Sequence, residues 1–263
     1  MNRPPRAVYS NKFVDAAVPE QMLVKYMSWK KFQDLVSRSA IYFRRIDGFK
    51  DQFEGRIPLA VWDLSTHAFK DWYNHCKDEI FITCWNMDRD ETKEMWSEYA
   101  ESYGVRISCT VDALTTELSI PPLVSCYSEP VEWAEKTNIQ IVDDQKQDGF
   151  TLGKIKYINF DDINTHDILG EGLSNIIPVF RKRDGYVNEN EFRVVLRPGS
   201  ASGEAARTCG DMHVFVSVCL QNLIQEIRFA PVNDPILKSN IEDLLAKNGL
   251  DIPVNPASLK VTQ

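Results

Sequence analysis

The run RKRDGYVNENEFRVVL, residues 181 to 196, sets Glu189, Glu191 and Arg193 in the spacing E-x-E-x-R at the entrance to an apolar stretch. Side chains of a β-strand alternate between two faces. This spacing therefore predicts all three charges on one face of a strand, with Asn190, Phe192 and Val194 on the other. Such a face either lines a cleft where carboxylates do acid–base work or forms a solvated sheet edge. In the second case Glu191 and Arg193 are an ion pair worth less than about 1 kcal/mol. Two more stretches are costly for a purely structural role. One is Lys25-Tyr26 on an early apolar run; the other is MWSEYAESYGVRI, residues 95 to 107, dense in rings beside a helix end. Each has a plain alternative. Trp96 and Tyr99, three apart on a helix, suit a packed core, and Lys25 suits a half-buried strand whose lysine reaches out to water.

The elements that must position these residues can be read from period and punctuation. Residues 21–28 read as a strand, and Ser28 is placed to cap a helix over 29–39, whose Phe32, Leu35 and Val36 form one apolar stripe. Residues 40–46 are β-branched and aromatic, a second strand. A loop follows over 47–55, then a helix in the later half of 59–79. IFITCW, residues 80–85, has no charge and reads as a strand buried on both faces. A helix is expected over 92–103, with Thr92 as its cap and Gly104 as its left-handed stop. Further strands are expected at 105–111, 123–133, 153–160, 191–197, 212–220 and 223–231, with a last strand after residue 250. The strand at 212–220 is expected to pair back on 191–197 as a long hairpin. A short helix is expected in ALTTEL, a longer one over 168–183 with Pro178 ending or kinking it, and another over 233–250 stopped by Gly249. Strands outnumber helices and do not alternate strictly with them. The expected class is α+β, with mixed or antiparallel sheets and flanking helices. An extended lead-in over 1–20 precedes a single domain over 21–263.

Bulk composition narrows the classes. The chain has 263 residues, 43% of them hydrophobic, enough for a sizeable core. Its formal net charge of −8 opposes non-specific binding to nucleic acid or anionic membranes. Two basic clusters interrupt that field: Lys30, Lys31, Arg38, Arg44 and Arg45, and Arg181, Lys182 and Arg183. Both read as solvated helix faces or loops. The six cysteines include no C-x-x-C pair, and the four histidines are scattered, so no metal is expected. The start lacks an apolar signal core and no run is long enough to span a membrane, which predicts a reduced, cytoplasmic protein with no membrane partner. Neither a P-loop nor G-x-G-x-x-G is present.

The order KYMS, IYF, KDQFEG, FITCW, MWSEYAESYGVRIS, ENEFRVVL and IQEIRFAP resembles a large bacterial family of uncharacterised proteins. That family carries M-W-x-x-Y-A-x-x-x-x-G and E-x-E-x-R, matched here by Trp96, Tyr99, Ala100, Gly104, Glu189, Glu191 and Arg193. The loop departs from its pattern: Asp51, Phe53 and Glu54 are kept, but the Asn and Pro are missing. The same order of elements has a fainter resemblance to the ADP-ribosyltransferase fold, with its split sheet.

That second resemblance implies NAD as substrate. Lys25 or Tyr26 takes the first position of such a site, Thr83 the second, and Glu189 with Glu191 the third. It implies that Glu191 holds a ribose hydroxyl while Glu189 orients or deprotonates the acceptor. Tyr26, Trp96 or Tyr99 would stack on a ring of NAD, and Arg106 or Lys25 would face the diphosphate; Arg193 joins this set. Lys25 in place of Arg or His, and TCW in place of a Ser-Thr-Ser run, depart from that pattern. The acceptor is a protein or a nucleic acid, a regulatory protein partner is a further expectation, and the role is that of a toxin or phage-defence effector. Two other readings stay open: a module that binds a nucleotide or a protein without turnover, and an effector acting on nucleic acid through the basic clusters.

Overall fold

The fold is taken from a computed structural model, which describes residues 18–49, 51, 55, 63, 67, 70, 74, 80–101, 103–119, 149–160, 177–197, 213–230 and 235–259. In chain order the strands are β1 (Met22–Ser28), β2 (Ala40–Arg45), β3 (Phe81–Asn86), β4 (Gly104–Thr110), β5 (Gly149–Lys154), β6 (Lys156–Ile158), β7 (Arg181–Arg183), β8 (Glu191–Arg197), β9 (His213–Ser217), β10 (Glu226–Phe229) and β11 (Val254–Pro256). The helices are α1 (Trp29–Arg38), α2 (Val111–Ser119), α3 (Leu220–Leu223) and α4 (Pro235–Lys247). A helical turn, Lys93–Met95, leads into a π-helix, Trp96–Ala100. Pairing is mostly antiparallel, with parallel pairs at β10–β11 and β6–β7, so the class is α+β with mixed sheet and flanking helices.

The chain divides into two compact units. The first is Met1–Ala17, Tyr42–Cys84 and Leu123–Phe215; the second is Val18–Ile41, Trp85–Pro122 and Val216–Gln263.

In the second unit β1 runs antiparallel to β4 along its whole length, from Met22 opposite Thr110 to Ser28 opposite Gly104. β4 pairs antiparallel with β10, Ile107 opposite Ile227. Leu23 and Val24, Val105 and Ile107, and Ile227 are all buried, as central strands require. α1 buries Phe32, Leu35 and Val36, the stripe read from the sequence. Ser28 precedes it but its hydroxyl accepts no capping bond; the Trp29 N–H donates to the Tyr103 carbonyl at 2.9 Å. Thr92 does cap its helix, accepting from the Met95 N–H at 3.2 Å.

Gly104 is a different kind of stop from the one expected. Left-handed backbone falls at Glu101, with φ 60, and Gly104 opens β4. A Cβ at Gly104 would lie 2.0 Å from the Ala100 carbonyl oxygen, so the glycine is needed for close approach of the strand to the π-helix.

In the first unit β2 pairs antiparallel with β3, Arg44 opposite Ile82. β8 pairs with β3 and with β5, Gly153 opposite Arg193. Ile46, Ile80, Ile82, Ile155, Val179, Phe180 and Val195 form the core of this unit. The expected hairpin of 212–220 on 191–197 is absent among the described pairings: β9 pairs with β2 instead. Chain neighbours joined by a long connection are free to find other partners, and the sequence holds no tight-turn signal to prevent it. Of the helix expected over 168–183, residues 168–176 lie outside the described residues, and the described end is not α-helix. Residues 177–180 form a 3-10 turn and Arg181–Arg183 is strand, paired parallel with β6. The strand expected at 123–133 and most of the helix expected at 59–79 lie outside the described residues.

Candidate functional site

The E-x-E-x-R residues are not all on one strand. Glu189 closes a 3-10 segment, Asp184–Glu189, and Asn190 then takes a left-handed conformation, φ 38 and ψ 54. β8 begins only at Glu191. Period-two alternation therefore links Glu191 and Arg193 but not Glu189. Asparagine tolerates the left-handed region because its short polar side chain costs little there, and this residue breaks the expected register.

Glu189 nevertheless returns to Glu191 through a third residue. Lys182 Nζ donates to Glu189 Oε2 at 2.5 Å and to Glu191 Oε2 at 3.0 Å. Arg193 Nε donates to Glu191 Oε1 at 2.7 Å, and its Nη1 donates to the Val179 carbonyl at 2.5 Å. The Glu191 N–H donates to the Tyr157 hydroxyl at 2.8 Å. The group is graded in depth: the Arg193 side chain is 0% exposed, Glu191 3%, Lys182 9% and Glu189 17%. Burial pushes the Glu191 carboxyl up. The charges of Arg193 and Lys182, with hydrogen bonds from Arg193 and the Cys84 thiol, outweigh it and bring the pKa to about 2. Burial raises Tyr157 to about 12, so its hydroxyl stays protonated. The Lys182 ammonium also lies 4.8 Å from the centre of the Tyr186 ring. Arg183 reaches Asp51 at 3.2 Å. Thr83, on β3 in the same unit, is 2% exposed.

The basic triplet 181–183 is thus not a solvated face. Arg181 and Lys182 are buried, and burial lowers the Arg181 pKa. Three consecutive cations carry no period, so nothing in their spacing signals that they enter a strand beside carboxylates. Lys182 and Tyr157 are the residues of this group that sequence reasoning missed. The E-x-E pair itself held the clue for Lys182, since two carboxylates brought close need a counter-charge.

Lys25, Tyr26, Trp96, Tyr99 and Arg106 belong to the second unit; Tyr26, Trp96, Tyr99 and Arg106 form a group, while Lys25, next to Tyr26 on β1, is on the other face of the strand. Tyr26 and Trp96 meet edge to face, centroids 5.1 Å apart, and both are buried. Met95, Tyr99, Ala257 and Leu259 pack against them. The Trp96 indole N–H donates to Glu91 Oε2 at 3.1 Å. Glu91 also accepts from Arg228 at 2.7 Å and from the Ser258 N–H at 3.1 Å. Its side chain is 0% exposed, although NMDRDE reads as a plain turn. Arg106 lies over the Tyr26 ring at 5.9 Å and donates to the Arg89 carbonyl at 3.1 Å, while its buried Nε has no partner. Burial, opposed by Arg106 and aided by Glu91, raises the Tyr26 pKa to about 12. Lys25 Nζ sits 5.5 Å from the Trp85 ring centre.

No family model matches this chain, and no curated protein matches it. Among solved structures, it is similar to Thermus sp. 2.9 DarT in complex with NAD+. The two are 6% identical, the match covers 92% of this chain and 98% of that chain, and the TM-score is 0.40. That likeness is too weak to carry function from one chain to the other. Resemblance to the uncharacterised bacterial family rests on the motif residues alone. Among the described residues no group of three His, Cys, Asp or Glu could hold a metal ion, and no helix is long and apolar enough to cross a membrane.

Proposed function

We propose that this chain is an ADP-ribosyltransferase-like enzyme that takes NAD as its donor. The observation that supports it is the gathering of both carboxylates of E-x-E on one ammonium, Lys182, with the inner carboxylate buried and ionised. In ADP-ribosyl transfer the bond between nicotinamide and ribose breaks, and its electron pair leaves with nicotinamide. Positive charge develops on the sugar carbon. A fixed anion beside that carbon favours the transition state over the ground state and needs no reorganisation at the moment of reaction. Glu191 suits that part: it is buried and stays charged well below neutral pH. An ionised carboxylate offers about four acceptor directions. Arg193, Lys182 and the Cys84 thiol donate to Glu191, and it is assigned to accept from a ribose hydroxyl as well. Glu189 has the more open carboxylate and is assigned to orient the acceptor and take its proton. The acceptor's lone pair then makes the new bond to the sugar carbon.

Thr83 and Arg193, in the same unit as the two carboxylates, complete the NAD-facing set of this proposal.

The test is nicotinamide release from NAD with protein, nucleic acid and water as acceptors. Wild type releases nicotinamide; Glu191→Gln lowers the rate by about 100-fold or more. Glu189→Gln, at the more exposed carboxylate, keeps the test sound if the first variant folds poorly. Release that neither substitution changes, or no release with any acceptor, removes the reading. In a cell, growth arrest by wild type and not by Glu191→Gln would support a toxin or phage-defence role.

The full pairing of Glu191 favours a second reading, in which the network is a structural latch in a module that binds nucleotide without turnover. Calorimetric NAD binding with no release, equal in wild type and Glu189→Gln, distinguishes it.

A further inference from the structure

Glu189 has no strand to aim it. It ends a 3-10 segment, the next residue is left-handed, and 17% of its side chain is open to solvent. A carboxylate so placed beside a second one is driven outward by like charge. The geometry opposes that. Lys182 Nζ touches one oxygen of each carboxylate, at 2.5 and 3.0 Å, and the Tyr186 ring closes over it at 4.8 Å. β7 presents the lysine from a separate element, seven residues before Glu189 and nine before Glu191. An ammonium carries three donors on a compact tip and can divide them between carboxylates on separate elements; a planar guanidinium prefers one carboxylate at a time.

We infer that Lys182 is a positioning residue: it sets Glu189 against Glu191 and so fixes the general base relative to the buried anion. This rests on the NAD reading for its chemical meaning, but the tie between the carboxylates stands apart from it. Lys182 itself touches neither donor nor acceptor. Its part is to hold the acceptor-facing carboxylate where a 1 Å error is costly.

Two measurements test it. In the first, nicotinamide release is measured for wild type, Lys182→Met, Lys182→Arg, and Lys182→Met combined with Glu189→Gln. Lys182→Met is expected to lower kcat by roughly 10- to 100-fold, the loss typical of a misplaced catalytic group, with KM for NAD within about threefold of wild type. Lys182→Arg, which keeps the charge but holds one carboxylate at a time, is expected to regain kcat by less than about threefold. The double variant is no slower than Glu189→Gln alone, because the two residues act as a unit. Unchanged kcat in Lys182→Met, a loss carried by KM, or effects that multiply in the double variant would overturn the positioning role. In the second, amide hydrogen exchange is followed over residues 184–190. Lys182→Met and Glu189→Gln should speed it alike, and together no further. Exchange unchanged by Lys182→Met overturns the tie whether or not NAD is the substrate. A wild type that releases nothing removes the NAD reading, and the catalytic half of this inference with it, while exchange still decides whether Lys182 joins the pair.

Discussion

Glu191 shows how far a single carboxylate's character is set by its surroundings. The residue type supports either a solvated edge or a chemical site; burial with Arg193, Lys182 and the Cys84 thiol makes it a fixed anion with a pKa of about 2. That shift is also a stability statement. The folded pKa is depressed, so Glu191 contributes stability above the ordinary carboxylate range, and the contribution is lost as pH falls through about 4.5 toward about 2. The difference in unfolding free energy between wild type and Glu191→Gln should hold level from pH 7 to about 5 and shrink steadily below that range. At pH 7 it should be about 3–5 kcal/mol, since the variant leaves Arg193 buried without its partner charge. Urea unfolding at a series of pH values measures it. A difference independent of pH down to 3 would mean that Glu191 is not paired as described.

At the scale of elements, the junction of the π-helix and β4 decides most. Five residues, Trp96–Ala100, make the π-helix, and the strand then passes so close that Gly104 has no room for a side chain. Gly104→Ala should cost more than about 3 kcal/mol, because the clash is with the Ala100 backbone and not with a side chain that can turn away. Glu101 is the opposite case. Its φ of 60 and ψ of −164 lie in a region nearly reserved for glycine. Glu101→Gly should therefore stabilise by about 1 kcal/mol, the relief of strain exceeding the extra freedom of the unfolded chain. Thermal unfolding of the two single variants tests both signs. The sequence suggested a glycine stop here, and a glycine is required, but for close approach and not for handedness. Periodicity cannot tell these apart, since the reason lies in the backbone of Ala100, four residues back at the end of the π-helix.

At the scale of the molecule, charge is the informative quantity. A net −8 repels polyanions, and the basic triplet that could have offset it is drawn inward, with Arg181 and Lys182 buried. Non-specific binding to duplex DNA or RNA should be weaker than a Kd of about 10⁻⁴ M near physiological salt, the weak end of such binding. Retention on a nucleic-acid column at 150 mM salt, lost in steps as salt rises, would revive the nucleic-acid reading.

The sequence alone determined the α+β class, the extents of β1, α1, β3, β4, β8 and α4, and the E-x-E-x-R residues as a place to look. Those are local properties: apolar period, turn residues and caps act within a few positions. Only the tertiary structure decided that Glu189 leaves the strand, that β9 joins β2 instead of β8, and that Lys182, not a strand face, unites the two glutamates. Ion pairs and strand partners link residues distant in the chain, and their energies depend on burial that exists only once the whole chain has packed.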